Sequence, residues 1–375
     1  MTLQSFLNAI GQEVEDADEE CFELFSRDIP SANLGFVDSR ATTIDVTIHG
    51  NDFTIHQSPT LLSSTRAGGT TGAVLWKITP LFAEWISNPT NPFWTWTSSS
   101  SSTSSTSDPI LNPSSTAVEL GCGISGLVAL ALAPSIGHYI ATDQEYVRRL
   151  LRANFDENIH HARSSRSSTA VSASSSRGGR STNLKKRGGN SNSNSNTNTN
   201  TKGTGRDKNK NQNKDNITFT PLDWELDAPS TLKETIETER LPSFSSSTGP
   251  DGPDLGFDLL ISCDCIYNEA LVAPFVRTCA DICRLRPTYV PDNLEDESNS
   301  SSFPSGSEEN GSRRPTVCVI AQQQRSPDVF ETWLRETMKY FRVWRVRDEV
   351  LGSKLQAGTG YLVHVLVVRG DERTI

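Results

Sequence analysis

The sequence predicts an α/β protein of three layers, with helices on both faces of a mostly parallel β-sheet. Three observations predict it. Short apolar runs of strand length alternate with amphipathic stretches of helical length, the pattern of parallel strands joined by crossover helices. One run, residues 117–120, passes through Gly121-Cys122-Gly123-Ile124-Ser125-Gly126 into an apolar helix carrying Leu127, Val128, Leu130 and Leu132, a strand–turn–helix unit. The last two apolar runs, 343–350 and 361–368, have no helix between them and are expected to pair as an antiparallel hairpin.

The elements follow in order. The start, to about Arg40, is acidic, with a short helix expected around residues 21–25. Ile44, Val46 and Ile48 alternate with polar residues, Gly50-Asn51-Asp52 supplies a turn, and Phe53 and Ile55 resume the alternation, which predicts a hairpin. A glycine-rich link at 68–72 leads into Ala73-Val74-Leu75-Trp76-Lys77. A helix follows with Thr79 as N-cap, Pro80 in its first turn and Leu81, Phe82, Trp85 and Ile86 on its apolar face. After the glycine turn, Tyr139-Ile140-Ala141-Thr142-Asp143 reads as a strand ending in a carboxylate, and 146–159 as a helix with Val147, Leu150, Leu151 and Phe155 on one side. Strand signals resume at 217–220, ahead of Leu222-Asp223-Trp224. Phe257-Asp258-Leu259-Leu260-Ile261-Ser262 is an apolar run of the kind buried on both sheet faces, and so is 316–321. Helices are expected over Leu271 to Ile282 and over 327–341, the latter with Phe330, Trp333, Leu334 and Met338 inward.

Three stretches break the pattern. A serine tract within about 98–115, a Ser, Asn, Gly and Lys-rich stretch over 162–216 and an acidic one over 288–315 have too few apolar side chains to form a core. They read as disordered insertions in connections between elements, the last two of low complexity. The domain reading is an N-terminal extension with a hairpin over 1–67, followed by the main domain over 68–375.

Composition narrows the function. The net charge of −10 argues against a general nucleic-acid binder, and no nucleic-acid requirement is expected. The seven cysteines contain no Cys-x-x-Cys, and no histidine pair has zinc spacing, so no metal site is expected. Their odd number and the apolar neighbours of Cys263, Cys279 and Cys318 suggest free, buried thiols in a reducing compartment. No signal peptide is apparent and no apolar run is long enough to span a bilayer. A cytoplasmic monomer without membrane contact is expected, with a nuclear location left open.

The chemistry concentrates at the carboxyl ends of the expected strands, where such sheets bind ligands. Gly121-x-Gly123-x-x-Gly126, with Asp143 some 20 residues beyond, matches the dinucleotide fingerprint and by itself favours a nicotinamide or flavin enzyme. Glu119 turns the reading. A carboxylate just ahead of the glycines repels a pyrophosphate and attracts an ammonium or sulfonium. Asp264-x-x-Tyr267 places further polar groups where an acceptor would meet the ligand.

These residues resemble the seven-stranded S-adenosylmethionine-dependent methyltransferases, and among them the protein lysine methyltransferases. The resemblance rests on Glu119-Leu120-Gly121-Cys122-Gly123, Asp143, Leu222-Asp223-Trp224, Asp264-Cys265-Ile266-Tyr267 and the upstream Thr71-Gly72-Ala73-Val74-Leu75-Trp76. It is strongest to the fungal ribosomal lysine N-methyltransferase 5 proteins, through the runs 120–128 and 139–146. It implies a Rossmann-like class I methyltransferase fold with a seven-stranded, mostly parallel sheet. The implied cofactor is S-adenosyl-L-methionine and the implied partner is a large-subunit ribosomal protein. Cys263 departs from the alanine that relatives often carry.

The resemblance also implies roles. Asp143 holds ribose hydroxyls, Gly121, Cys122 and Gly123 admit the methionine moiety, and Glu119 orients its amino group. Trp76 and Trp224 pack against the cofactor and Cys263 lies beside its adenosine. Asp264 and Tyr267 are the catalytic candidates, placed to orient the lysine amine. Each has a plainer alternative: a capping or solvated carboxylate for Asp143, tight-turn glycines, a buried ion pair for Glu119, core packing for Tyr267 and both tryptophans, and mere charge neutralisation for Asp264. Three other functions stay open on the sequence: methyl transfer to another acceptor, a nicotinamide oxidoreductase, and a cofactor-binding interaction module without activity.

Overall fold

A computed structural model describes residues 2–28, 35–65, 70–95, 109–171, 216–233, 254–291 and 313–370. Residues 1–159 and 216–375 make one compact unit, and 160–215 make a second. The first unit is built on one sheet. Its strands in chain order are β1 (Gly11–Glu13), β4 (Thr116–Leu120), β5 (His138–Asp143), β6 (Ile217–Pro221), β7 (Leu259–Cys263), β8 (Val317–Gln323), β9 (Phe341–Val346) and β10 (Tyr361–Val368). The remaining two, β2 (Thr43–Ile48) and β3 (Asn51–His56), form the expected separate hairpin.

The order across the large sheet is β1-β9-β10-β8-β7-β4-β5-β6. β6, β5, β4, β7 and β8 are parallel. β10 runs antiparallel to both of its neighbours, β8 and β9. The expected pairing of the last two strands is present, and the final strand is inserted between β8 and β9 instead of closing an edge. Seven strands thus match the expected architecture. The three-residue β1, antiparallel to β9, adds an eighth from the N-terminal segment.

The helices cover both faces. α1 (Leu3–Ile10) and α2 (Ala17–Phe25) come from the N-terminal segment, followed by α3 (Ile78–Ile86), α4 (Leu127–Leu132), α5 (Arg148–Val171), α6 (Glu269–Cys283) and α7 (Pro327–Met338). One apolar cluster joins Phe6, Leu7 and Ile10 to Phe82, Leu127 and Val319 on one side of the sheet. The other joins Cys21 and Leu24 to Leu260, Phe275 and Trp333 on the opposite side. Residues 1–67 therefore share both cores with the rest of the unit. The strands β7 and β10 are buried at every position and β4 at all but Thr116, which is why they read as largely apolar runs.

Several local expectations change. α3 begins at Ile78, with Lys77 and not Thr79 at the N-cap, so Thr79 and Pro80 fall inside its first turn, where proline still costs no hydrogen bond. The run 343–350 is not one strand. β9 stops at Val346, and Asp348–Leu351 forms a helical turn ended by Gly352 in a left-handed conformation (φ 71°). The serine-tract insertion ends before Ile110 and Leu111, both buried in the core. Tyr289, at the start of the acidic insertion, is also buried. Asn216, at the end of the basic one, caps Ala133 and Ile136 carbonyls with its side-chain amide. Residues 162–171, expected within the second insertion, continue the helix α5 instead, while residues 98–108, 172–215 and 292–312 of those expectations, and residues 68 and 69 of the glycine link, lie outside the described residues.

Candidate active site

The parallel register brings the carboxyl ends of four strands together. Glu119 on β4 sits opposite Ala141 of β5 and Ile261 of β7, and Cys263 at the end of β7 is opposite Ala321 of β8. The glycine turn leaves β4 at this level. Gly121, Gly123 and Gly126 all have positive φ (72°, 60° and 52°), the region an L-residue avoids. The turn is closed by the Gly121 and Cys122 N–H groups, which both donate to the Thr142 carbonyl (2.9 and 3.0 Å).

Each glycine lies under another part of the chain. A side chain at Gly121 would place its Cβ 2.3 Å from Cys265 Sγ and 3.6 Å from the Trp224 ring. At Gly123 it would meet the Gly72 carbonyl oxygen at 3.3 Å. The upstream segment thus crosses directly over the turn, and the Gly72 carbonyl accepts the Ile124 N–H at 2.9 Å. The Cys265 thiol donates to the Leu120 carbonyl (3.4 Å), and burial pushes it far above the usual thiol range.

Two carboxylates flank the turn. Asp143, at the end of β5, accepts the Gly123 N–H on Oδ2 (2.8 Å) and the Gln144 N–H on Oδ1 (2.7 Å). A carboxylate offers about four acceptor positions, so each oxygen keeps one for a ligand hydroxyl. Desolvation pushes its pKa up to about 6, against the pull of the two backbone N–H groups. Glu119 is buried, and its Oε2 accepts the Tyr139 hydroxyl at 2.9 Å. Burial raises it to about 8, the tyrosine bond opposes that rise, and the Asp143 charge adds to it. Among the described residues neither group forms an ion pair with a lysine, arginine or histidine, a setting that suits a positively charged ligand.

The remaining expected residues surround this centre. Trp224 packs edge-on against Phe275 (ring centroids 5.0 Å apart) beside Gly121. Cys122 and Cys263 are buried, and Cys263 Sγ lies 4.0 Å from Thr79 Oγ1. Trp76 donates its indole N–H to the Thr71 carbonyl (3.0 Å) and stacks at 4.4 Å on Phe36. Tyr267 is 37% exposed, enough for a macromolecular partner to reach, and its hydroxyl accepts that of Thr71 at 3.0 Å.

Asp264 is the residue whose setting differs most from the sequence reading, which left it free to meet an amine. It has φ 63°, unusual for a residue with a side chain, and its N–H donates to the Ala321 carbonyl (2.7 Å). Both carboxylate oxygens are taken by Arg325, which donates from Nη1 to Oδ1 (2.7 Å) and from Nη2 to Oδ2 (2.6 Å), and Oδ1 also accepts the Gln323 N–H (3.1 Å). Arg325 in turn lies 4.6 Å above the Trp76 ring. Sequence reasoning missed Arg325. It lies two residues after the end of β8, a strand end that was not among the ligand-facing segments read from the sequence.

The fold and the acid-flanked glycine turn define a Rossmann-like α/β protein with a ligand site at its strand ends. The comparisons then point to particular relatives. No family profile matches the chain. It is similar to ribosomal lysine N-methyltransferase 5 of Zygosaccharomyces rouxii, 38% identical over 112 residues, 29% of this chain and 34% of that protein. It is also similar to the protein of the same name from Lachancea thermotolerans, 26% identical over 325 residues, 78% of this chain and 75% of that one. A third relative is the diaminohydroxyphosphoribosylamino-pyrimidine deaminase of Schizosaccharomyces pombe, 32% identical over 146 residues, 39% of this chain and 32% of that protein. The chain thus spans about a third of the deaminase and of the Z. rouxii protein, and three quarters of the L. thermotolerans one. Among solved structures, the N-methyltransferase NodS of Bradyrhizobium japonicum in complex with S-adenosyl-L-homocysteine aligns with 9% identity and a TM-score of 0.30, over 68% of this chain and 79% of that one.

Proposed function

We propose that this protein is an S-adenosylmethionine-dependent protein-lysine N-methyltransferase whose substrate is a large-subunit ribosomal protein. The observation that carries the reading is the pair of acids beside the glycine turn. Asp143 has acceptor positions left for two ribose hydroxyls, and Glu119 is a buried carboxyl without a cation, matched to the ammonium of a methionine tail. A pyrophosphate offers Glu119 no cation to pair with. The relatives named ribosomal lysine N-methyltransferase 5 support the same class and a ribosomal substrate.

The residues present fit such a cofactor. Gly121 and Gly123 keep the turn free of side chains, with Cys265 and Trp224 packed over it, and Trp224 and Trp76 supply apolar walls. When bound, the cofactor supplies an electrophilic methyl group. The chain's own task is to hold the acceptor in line and to favour its neutral form. A lysine amine, with a reference pKa near 10.4, must lose its proton before it attacks. Tyr267, exposed and held by Thr71, is placed to orient that amine. Asp264 acts through its ion pair with Arg325.

The deaminase name of one relative suggests a second chemistry, and the sequence disfavours it. Zinc deaminases of nucleobases use a Pro-Cys-x-x-Cys ligand motif. No Cys-x-x-Cys occurs in this chain. Calorimetric titration separates the cofactor classes: S-adenosylmethionine is expected to bind with micromolar affinity and NAD not to bind. Binding of NAD alone would sink the methyltransferase reading.

A further inference from the structure

The reading of Asp264 as an acceptor-binding group leaves the Arg325 fork unexplained. A carboxylate beside the face of an indole is a general cation site, because both groups attract positive charge. Here that site is filled from within the chain. Arg325 uses two N–H groups on Asp264 and its flat face on Trp76, which no lysine in its place could do at once. Its loop is itself fixed. The Gln324 N–H donates to the Gly360 carbonyl (2.9 Å), and its side-chain amide donates to the Leu24 carbonyl at the end of α2 (2.6 Å). One guanidinium therefore joins the ends of β7 and β8 to the segment that crosses the glycine turn. It also lines a pocket with Ile266, Tyr267, Gln322, Gln323 and Phe330.

We infer that Arg325 is a positioning residue of this site: it sets the Asp264 carboxylate and the Trp76 indole in one geometry, and it occupies the cation position that an acceptor ammonium would otherwise take. The consequence is chemical. With its two oxygens on Arg325, the Asp264 carboxylate is not available to trap a lysine in its charged, unreactive form. The inference rests on the methyl-transfer reading for its functional part, and its structural part is tested without cofactor.

Arg325→Ala leaves a vacancy shaped for a guanidinium ion. Guanidinium ordinarily lowers melting temperatures, whereas a ligand that fills a native vacancy raises them by mass action. In the cofactor-free protein, low-millimolar guanidinium chloride is expected to raise the melting temperature of Arg325→Ala and not that of the wild type, with sodium chloride as control. For S-adenosylmethionine, the variant is expected to bind roughly tenfold more weakly, guanidinium to restore most of that loss, and Arg325→Lys, which keeps the charge without the fork, to remain weak. If Arg325→Ala does not fold, Asp264→Asn is expected to show the same weakened binding. Wild-type affinity in these variants, or a loss that guanidinium leaves untouched, overturns the inference. If the wild type binds no cofactor, the methyl-transfer reading falls, and the cofactor-free melting experiment alone decides whether Arg325 fills this site.

Discussion

The Asp143 carboxylate accepts the Gly123 N–H at 2.8 Å, so this side chain ties the end of β5 to the turn leaving β4, beside the two backbone bonds to the Thr142 carbonyl. The ligand hydroxyls would meet the oxygens that already fix the turn. Asp143→Ala removes both functions at once and frees two backbone donors. Cofactor affinity in calorimetry is expected to fall by about a hundredfold, on the scale of two charge-assisted hydrogen bonds. Unchanged affinity would remove Asp143 from the site.

Glu119 gives a pH dependence. Its pKa near 8 leaves it protonated at neutral pH, while the cofactor's ammonium favours the carboxylate. Binding then releases a proton, and affinity rises with pH by up to about tenfold per unit below 8. It declines above that, where an α-amino group with a pKa near 7.7–8.0 loses its charge. Glu119→Gln should abolish the rising limb. The stability effect has the opposite sign. The folded protein holds this proton more tightly than the unfolded chain, whose carboxyl has its ordinary pKa of 4.5, so stability is lost as pH rises from about 4.5 to about 8. Glu119→Gln should flatten that loss in denaturant melts at pH 5 and pH 8.

Gly126 tests the turn without touching the ligand groups. It has φ 52°, and a Cβ there would lie 2.3 Å from Phe155 Cε1 and 2.6 Å from Leu151 Cδ1 on α5. Gly126→Ala combines left-handed strain of roughly 1–2 kcal/mol with overpacking of roughly 1–3 kcal/mol. A loss of at least about 2 kcal/mol in chemical denaturation is expected, and a loss under about 0.5 kcal/mol would contradict the packing described.

Tyr267→Phe removes the hydroxyl that accepts from Thr71 and leaves the ring. If this hydroxyl orients the acceptor, kcat should fall by roughly a hundredfold with cofactor affinity unchanged. An unaltered kcat would assign Tyr267 to packing.

Much of this was legible in the sequence, for physical reasons. β4, β7 and β8 are buried on both faces over most of their length and so carry mainly apolar runs. The glycine turn was legible because left-handed backbone strongly selects glycine. What was illegible depends on distant partners. β1 is three residues long and exists as a strand through β9, more than 300 residues away. Val350 and Leu351 extend the apolar pattern of β9 although the chain there turns into a helix. The Arg325–Asp264 fork joins two loops 61 residues apart, and no local pattern marks it. Ile110 and Leu111 are core residues hidden beside a serine tract.

The central claim is methyl transfer to a lysine, and one measurement tests it most directly. The full chain is incubated with isolated large-subunit ribosomal proteins and methyl-labelled S-adenosylmethionine, and the labelled residue is mapped by mass spectrometry. Label is expected on a lysine of one such protein, and none with Asp143→Ala. Cofactor bound in calorimetry with no lysine labelled would contradict it.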